Sequence, residues 1–462
     1  MDFWLISDVS NDLQICALTH IAFSDGEDPI KSASCNKNVL HKSCGRDSVN
    51  PAAVTKNLVM NAPVIHPVHP ATSFFIHWIQ MQRRNFFLRT TALTATMLVG
   101  VNNGFAQTIG CVAPSPTPAP APAPVAAPAP TPAPSTGGIN AVNEIKALRI
   151  PTGPYAGAYE ISPNGLSNWY FTNLGLIAIV QYLSVADLDQ YIRTYLDLYI
   201  SKLEPNMSIK DVNFPFGRAN TSSFNLVLAD SDDSYAATTL TLATRYLRAS
   251  QNWAWWDKNK TRLKDIAYRN IALAVKPNGL TSVFQAPRNL TNNAGYLMDN
   301  SEVYRGLKDF SAMLRERGDV ADAAYYDSFA KGIGTAMTTL FVAASSGFRM
   351  ADLSTATETS FYPGTSCQVF PQVFGVTECA PYFDRAWNFL AVNSPGWEGG
   401  KLDPYPFAVL GLAAAKRGLI TAAKAQQLSI EKTFVANRPM VSINELGFYQ
   451  RTKSVLEGRA DV

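Results

Sequence analysis

The stretch from Ala229 to Ala249, "ADSDDSYAATTLTLATRYLRA", decides how the rest of the chain is read. Three aspartates, Asp230, Asp232 and Asp233, fall within four residues, and an alanine- and leucine-rich run follows at once. In that run Ala236, Leu240, Ala243 and Leu247 recur at three- and four-residue spacing, which places them on one face of an α-helix. The first turn of a helix carries free amides and the positive end of the helix dipole, so carboxylates gather there.

Outward from this segment the same spacing predicts helix after helix. It recurs in "LSNWYFTNLGLIAIVQYL" (166–183), "ADLDQYIRTYLDLYISKL" (186–203) and "RLKDIAYRNIALAV" (262–275). It continues in "SEVYRGLKDFSAML" (301–314), "DVADAAYYDSFAKGIGTAMTTLF" (319–341), "PYPFAVLGLAAAKRG" (404–418) and "ITAAKAQQLSIEKTF" (420–434). The segments come in neighbouring pairs joined by short breaks such as Arg317-Gly318-Asp319, where Asp319 reads as an N-cap. No alternating run marks a sheet. Two long stretches rich in Asn, Ser, Thr and aromatics, 206–230 and 348–384, read as loops that carry binding residues. Paired helices without a 34–45-residue signature repeat count against a solenoid and favour an all-α, closed (α/α)6 toroid of six helical hairpins.

Composition divides the chain of 462 residues. Residues 114–134, "PSPTPAPAPAPVAAPAPTPAP", form neither helix nor central strand, because proline fixes φ and lacks the amide donor. Before them, "MQRRNFFLRTTALTATMLVGVNNGFAQ" has Arg83, Arg84 and Arg89, an apolar run too short to span a bilayer, and small residues ahead of Gln107. This is export-signal grammar of twin-arginine type, with cleavage expected after Ala106. The reading is therefore a mis-called extension over 1–80, an export signal over 81–106, a Pro/Ala linker over 107–138 and a catalytic domain over 139–462. The setting it implies is bacterial, periplasmic or secreted, with possible tethering to the envelope through Cys111. The expected partners are the export machinery and a polysaccharide or oligosaccharide substrate, and the chain is expected to act as a monomer. Cys367 and Cys379, the two cysteines of the domain, are expected to pair as a disulfide in an oxidising compartment.

All five histidines precede Met81, so the domain holds none. Serine–histidine and cysteine–histidine catalysis in their usual forms, and histidine-ligated zinc, are excluded. Residues 111–462 hold 31 basic and 29 acidic side chains with no basic patch, which points away from nucleic acid. The Ser-x-x-Lys matches at Ser328 and Ser429 lie inside amphipathic helices and lack partner motifs. The aspartate knot is no calcium loop, since Tyr235 fills the glycine position. No metal or cofactor is expected. What remains for acid–base work is carboxylates, lysine and tyrosine.

Paired carboxylates among aromatics suit glycoside hydrolysis, which needs one protonated carboxyl to donate to the leaving oxygen and one carboxylate to activate water or attack. Asp230 and Asp232 at a helix start suit the base or a grip on sugar hydroxyls. Asp299 and Glu302, in "GYLMDNSEVYRGLKDF", repeat that layout, with capping-box spacing as the bland alternative. Glu398 beside Trp397, in "SPGWEGGKLDPYPF", is a candidate acid, and Glu160 ahead of the first long helix is another. Trp169 and Trp397 are candidate sugar platforms, with Tyr170, Asp233, Tyr235 and Tyr304 as further substrate contacts.

The segment "ADSDDSYAATTLTLA" resembles the signature of glycoside hydrolase family 8, with Ala229, Asp230, Ser231, Asp232 and Ala236 on the motif positions. Ser231 and Tyr235 depart from the usual residues, and the family's Ser-Glu-Gly-Gln segment is missing. The resemblance implies an (α/α)6 toroid and an inverting, endo-acting β-glycanase. Two rivals stand beside this reading. One is a polysaccharide lyase on the same fold with Tyr159 or Tyr304 as base; the other is a non-catalytic envelope protein that binds glycan.

Overall fold

The computed structural model describes residues 138–163 and 165–461. The extension, the export signal and nearly all of the linker lie outside the described residues. Among the described residues, twelve α-helices of four residues or more follow one another, numbered in chain order. They are α1 (Ala141–Ala147), α2 (Trp169–Ile179), α3 (Thr194–Lys202), α4 (Asp233–Ser250), α5 (Trp253–Asn270) and α6 (Leu297–Glu316). The second half supplies α7 (Val320–Thr338), the single turn α8 (Phe370–Val373), α9 (Phe383–Asn393), α10 (Ala408–Lys416), α11 (Ile420–Ala436) and α12 (Ile443–Leu456). Short 3-10 and π turns join them. The described residues are mostly helical, as the periodicity requires.

Local chemistry sets the helix ends. Asn168 accepts from the Phe171 amide at 2.8 Å to open α2, and Asn252 accepts from Trp255 at 3.1 Å to open α5. Gly318 turns α6 into α7 with φ of +84°, a left-handed conformation that glycine adopts without strain. Asp319 holds the cap position of α7, but its carboxylate pairs with Lys264 at 3.0 Å instead of capping. The start of α6 differs from the sequence reading. The helix begins at Leu297, so Asp299 lies inside the first turn and the Asp299–Glu302 capping box does not form.

The even-numbered helices pack in an unbroken succession. α2 contacts α4, α4 contacts α6, α6 contacts α8, α8 contacts α10, α10 contacts α12, and α12 returns to α2. Odd-numbered helices lie against members of this series, including α7 on α6 and α11 on α10. Glycine permits the tightest approaches. A Cβ on Gly306 of α6 would sit 2.5 Å from the Ala237 carbonyl oxygen of α4, and one on Gly447 of α12 would sit 2.8 Å from the Leu174 carbonyl oxygen of α2. Inner helices of this kind are buried nearly all round, as α4 shows from Asp233 to Thr244.

Two features depart from the sequence reading. The loop expected over 206–230 contains a small antiparallel hairpin, β1 (Lys210–Asn213) with β2 (Asn225–Leu228), and a second, β3 (Phe341–Val342) with β4 (Gly347–Phe348), ends where the loop expected over 348–384 begins. Strands of two to four residues are too short to show alternation. Cys367 and Cys379 are free, buried thiols and not a disulfide. They belong to separate 3-10 turns, Ser366–Val369 and Thr377–Tyr382, and Cys367 Sγ donates to the Gly364 carbonyl at 3.2 Å. Burial pushes both thiols up to about 12.

The α4–α6 contact is testable. Gly306→Ala has no room for its methyl group against the Ala237 backbone, so it should destabilise the fold by about 1–3 kcal/mol, read as a lower urea midpoint. A midpoint equal to wild type would contradict the close approach.

Candidate functional site

A cavity of about 100 Å³ opens where the even-numbered helices begin. Its wall takes Tyr170 and Phe171 from α2, Met298 from α6, Phe370 from α8, Val409 from α10, and Asn444 and Glu445 from α12. Each lies in the first turn of its helix. Asp230, three residues ahead of α4, completes the set, and Tyr362, Tyr405, Pro406 and Phe407 come from loops. Five helix starts and the segment leading into α4 therefore meet one aromatic-walled space that holds two carboxyl groups, Asp230 and Glu445.

Those two carboxyls live differently. Glu445 accepts from the Ala408 amide, which opens α10, and from Asn444 Nδ2 at 3.1 Å. Both hydrogen bonds, and the adjacent helix start, favour the charged form. Burial outweighs them and raises the Glu445 carboxyl to about 8. Glu445 is therefore neutral at pH 7 and has a proton to give. Asp230 is 8% exposed, and its Oδ1 is buried without a hydrogen-bond partner among the described residues. Behind Asp230 stands Tyr235, whose hydroxyl also interacts with it. The Tyr235 hydroxyl oxygen and Asp211 Oδ2 share a hydrogen bond at 2.7 Å, and Asp211 is fully buried. Burial first, and then the charge of Asp230, raise Asp211 to about 8.

The remaining expected residues sit elsewhere. Asp232 is tied by Arg288 at 2.9 Å and by the Gln285 amide at 3.0 Å, which fixes the 282–290 loop. Asp233 accepts from Ser234 N and Thr281 Oγ1, and burial together with the charge of Asp299 raises it well above the usual range. Glu302 accepts from the Tyr170 hydroxyl at 2.5 Å, one step behind the cavity wall. Glu160 pairs with Arg218 at 2.5 Å, and Glu398 is half-buried on a short turn; neither lines the cavity.

The tryptophan platforms are corrected by burial. Trp169 is fully buried, packs on Tyr195 and Tyr199, and donates Nε1 to the Lys210 carbonyl at 2.8 Å. Trp397 is buried edge-on against Trp387. The lyase candidates are equally committed. Tyr159 is fully buried, donates to the Tyr191 carbonyl, and is held far above its ordinary value by burial. Tyr304 shares a hydrogen bond with Thr377 and does not line the cavity.

Two residues escaped the sequence reading. Ser442 and Glu445 have capping-box spacing, yet Glu445 reaches across to α10 while Ser442 donates to Asn444. Asp211 lies in a polar stretch with no local mark; only β1 brings it under α2.

No family model matches the chain, and no curated protein matches it. Among solved structures it is similar to one named as a glycosidase variant in complex with glucose, with 13% identity and a TM-score of 0.45. That similarity covers 69% of this chain and 96% of the other. A wild-type glycosidase structure is similar at 12% identity, with the same TM-score and coverage. At that level the likeness says nothing of what this chain acts on, which has to come from its own cavity.

Buried neutral carboxyls also make stability depend on pH. Asp211 and Glu445 ionise near 8 when folded, against ordinary values of 3.8 and 4.5. The folded state thus binds more protons between those limits, so the contribution is complete below about 4 and is lost as pH rises through about 8. The urea midpoint of the full-length chain should fall from pH 5 to pH 8.5, and Asp211→Asn should reduce that fall. A flat profile in the wild type would contradict the burial argument.

Proposed function

We propose that residues 139–462 form an (α/α)6 toroid that hydrolyses a glycosidic bond, with Glu445 as general acid and Asp230 as general base. The observation that carries this reading is the shared cavity, where one carboxyl is kept protonated by burial and the other has an oxygen without a partner among the described residues. Glu445 delivers its proton to the departing sugar oxygen, and Asp230 takes a proton from the water that attacks the anomeric carbon. Tyr362, Tyr405 and Phe407 offer apolar faces to the sugar rings. The unbroken contact of six even-numbered helices, alternating along the chain with odd-numbered ones, supports the toroid. Asp230 also lies in the segment that resembles glycoside hydrolase family 8.

The substrate is then an oligosaccharide or polysaccharide, cleaved within its chain. The periplasmic or secreted setting rests on the export-signal grammar of residues 81–106 alone.

The full-length chain, incubated with a panel of neutral and uronate polysaccharides, should release reducing ends without absorbance near 235 nm. Early products of mixed length would mark cleavage within the chain; single sugars alone would contradict it. Glu445→Gln and Asp230→Asn should each lower kcat by about 10²–10⁴-fold with the circular dichroism spectrum retained. Wild-type activity should fall as pH rises through about 8, where Glu445 loses its proton. Full activity in both variants would overturn the assignment.

A further inference from the structure

The buried Asp211 has no direct role in that chemistry, although it lies one side chain behind the proposed base. We propose that Asp211 is a positioning residue for Asp230: carrying its own proton, it donates to the Tyr235 hydroxyl and so leaves that hydroxyl's proton for the Asp230 carboxylate. The inference rests on the glycosidase reading.

The geometry is a chain of three groups. The Tyr235 oxygen is 2.7 Å from Asp211 Oδ2, and the same hydroxyl interacts with Asp230. One hydroxyl proton cannot serve two carboxylates. If both acids were ionised, either Asp211 or Asp230 would lose its hydrogen bond to Tyr235 in a buried place. A proton on Asp211 removes the conflict, because a hydroxyl rotates to suit its neighbours and can accept from one acid while donating to the other. Burial and the charge of Asp230 favour the neutral form of Asp211 and outweigh the hydrogen-bond donors around it, which favour the charged form and fix its orientation. Asn168 Nδ2 donates to Asp211 Oδ2 at 2.9 Å and to the Tyr235 oxygen at 2.6 Å. The Trp169 amide donates to Asp211 Oδ1 at 3.2 Å. Tyr195 and Tyr199 are the other titratable neighbours, and burial keeps both protonated. The adjacent lysine in the chain, Lys210, is paired with Glu204 at 3.1 Å. No cation among these neighbours claims the Asp211 charge, while burial raises its carboxyl to about 8. Tyr235 is also held well above its ordinary value by burial and by both acids, so its hydroxyl keeps its proton throughout.

Removing the chain should disturb the reacting geometry without touching the sugar. Asp211→Ala should lower kcat about 100-fold with KM within about twofold, the cost of a misplaced base. Asp211→Asn keeps a donor toward Tyr235 and should recover to within about tenfold of wild type. The pH profile separates positioning from mere structural support. In the wild type two carboxyls, Asp211 and Glu445, must stay protonated, so log kcat/KM should fall with a slope approaching about −2 above pH 8. In Asp211→Asn one of them is gone, and the slope should be about −1. Equal slopes, or an Asn variant as impaired as Ala, would overturn the proposal. If no glycan is hydrolysed, the glycosidase reading fails, and the pair is read in the full-length chain by carbon-13 NMR. The Asp211 carboxyl and the Tyr235 Cζ resonances should then titrate together near pH 8, and independent midpoints would overturn the coupling.

Discussion

The constraint on which the rest depends is the meeting of helix N-termini around one cavity walled largely by buried side chains. Each start brings backbone amides that no carbonyl of its own helix can satisfy. Left unmet in a buried place, each costs about 1–3 kcal/mol, so the chain must supply acceptors there. It does so with side chains. Asn168 serves Phe171, Asp211 serves Trp169, Asp233 serves Ser234, and Glu445 serves Ala408. Glu445, one of the two acids at the cavity, is thus first a consequence of the fold, and the chemistry proposed for it uses a group that a helix start already requires.

Burial then separates groups of the same type. Asp232 meets Arg288, and Asp461 meets Arg451 and Lys416, which hold the Asp461 carboxyl below the usual range despite desolvation. Asp211 and Glu445 meet hydrogen-bond dipoles and the like charges of Asp230 and Asp403 in place of a cation, and dipoles do not repay the loss of water, so both are kept neutral. A neutral carboxyl sharing a cavity with an aspartate oxygen that has no hydrogen-bond partner among the described residues is the asymmetry that general acid and base catalysis requires. The close packing of α4 on α6 and of α12 on α2, through Gly306 and Gly447, keeps this arrangement tight.

The helical class was legible because the 3.6-residue period survives in α4, α5 and α6. Helix starts were less legible. Asp299 has the marks of a cap, but the helix extends two residues further back to Leu297, where only tertiary packing marks the boundary. Asp230 stands out because it belongs to a local cluster. Glu445 does not, because Ser-x-x-Glu spacing reads as a local capping box, and its true partner is Ala408, 37 residues away. Asp211 is a lone acid in a short strand whose neighbours come from α2 and α4. The indoles of Trp169 and Trp397 mislead for the opposite reason: a polar sequence context suggests exposure, while the fold turns both rings inward. The spacing of Cys367 and Cys379 is compatible with a disulfide, but spacing along a loop does not fix which turn each thiol enters.

The most direct test of the central claim is a crystal structure of the full-length Glu445→Gln variant soaked with an oligosaccharide that the wild type cleaves. The expected result is a glycosidic oxygen within hydrogen-bond distance of the amide introduced at position 445 and a water, or the anomeric carbon it would attack, beside Asp230. A sugar bound with its linkage away from both side chains, for instance along Glu160 or Glu398, would contradict the account.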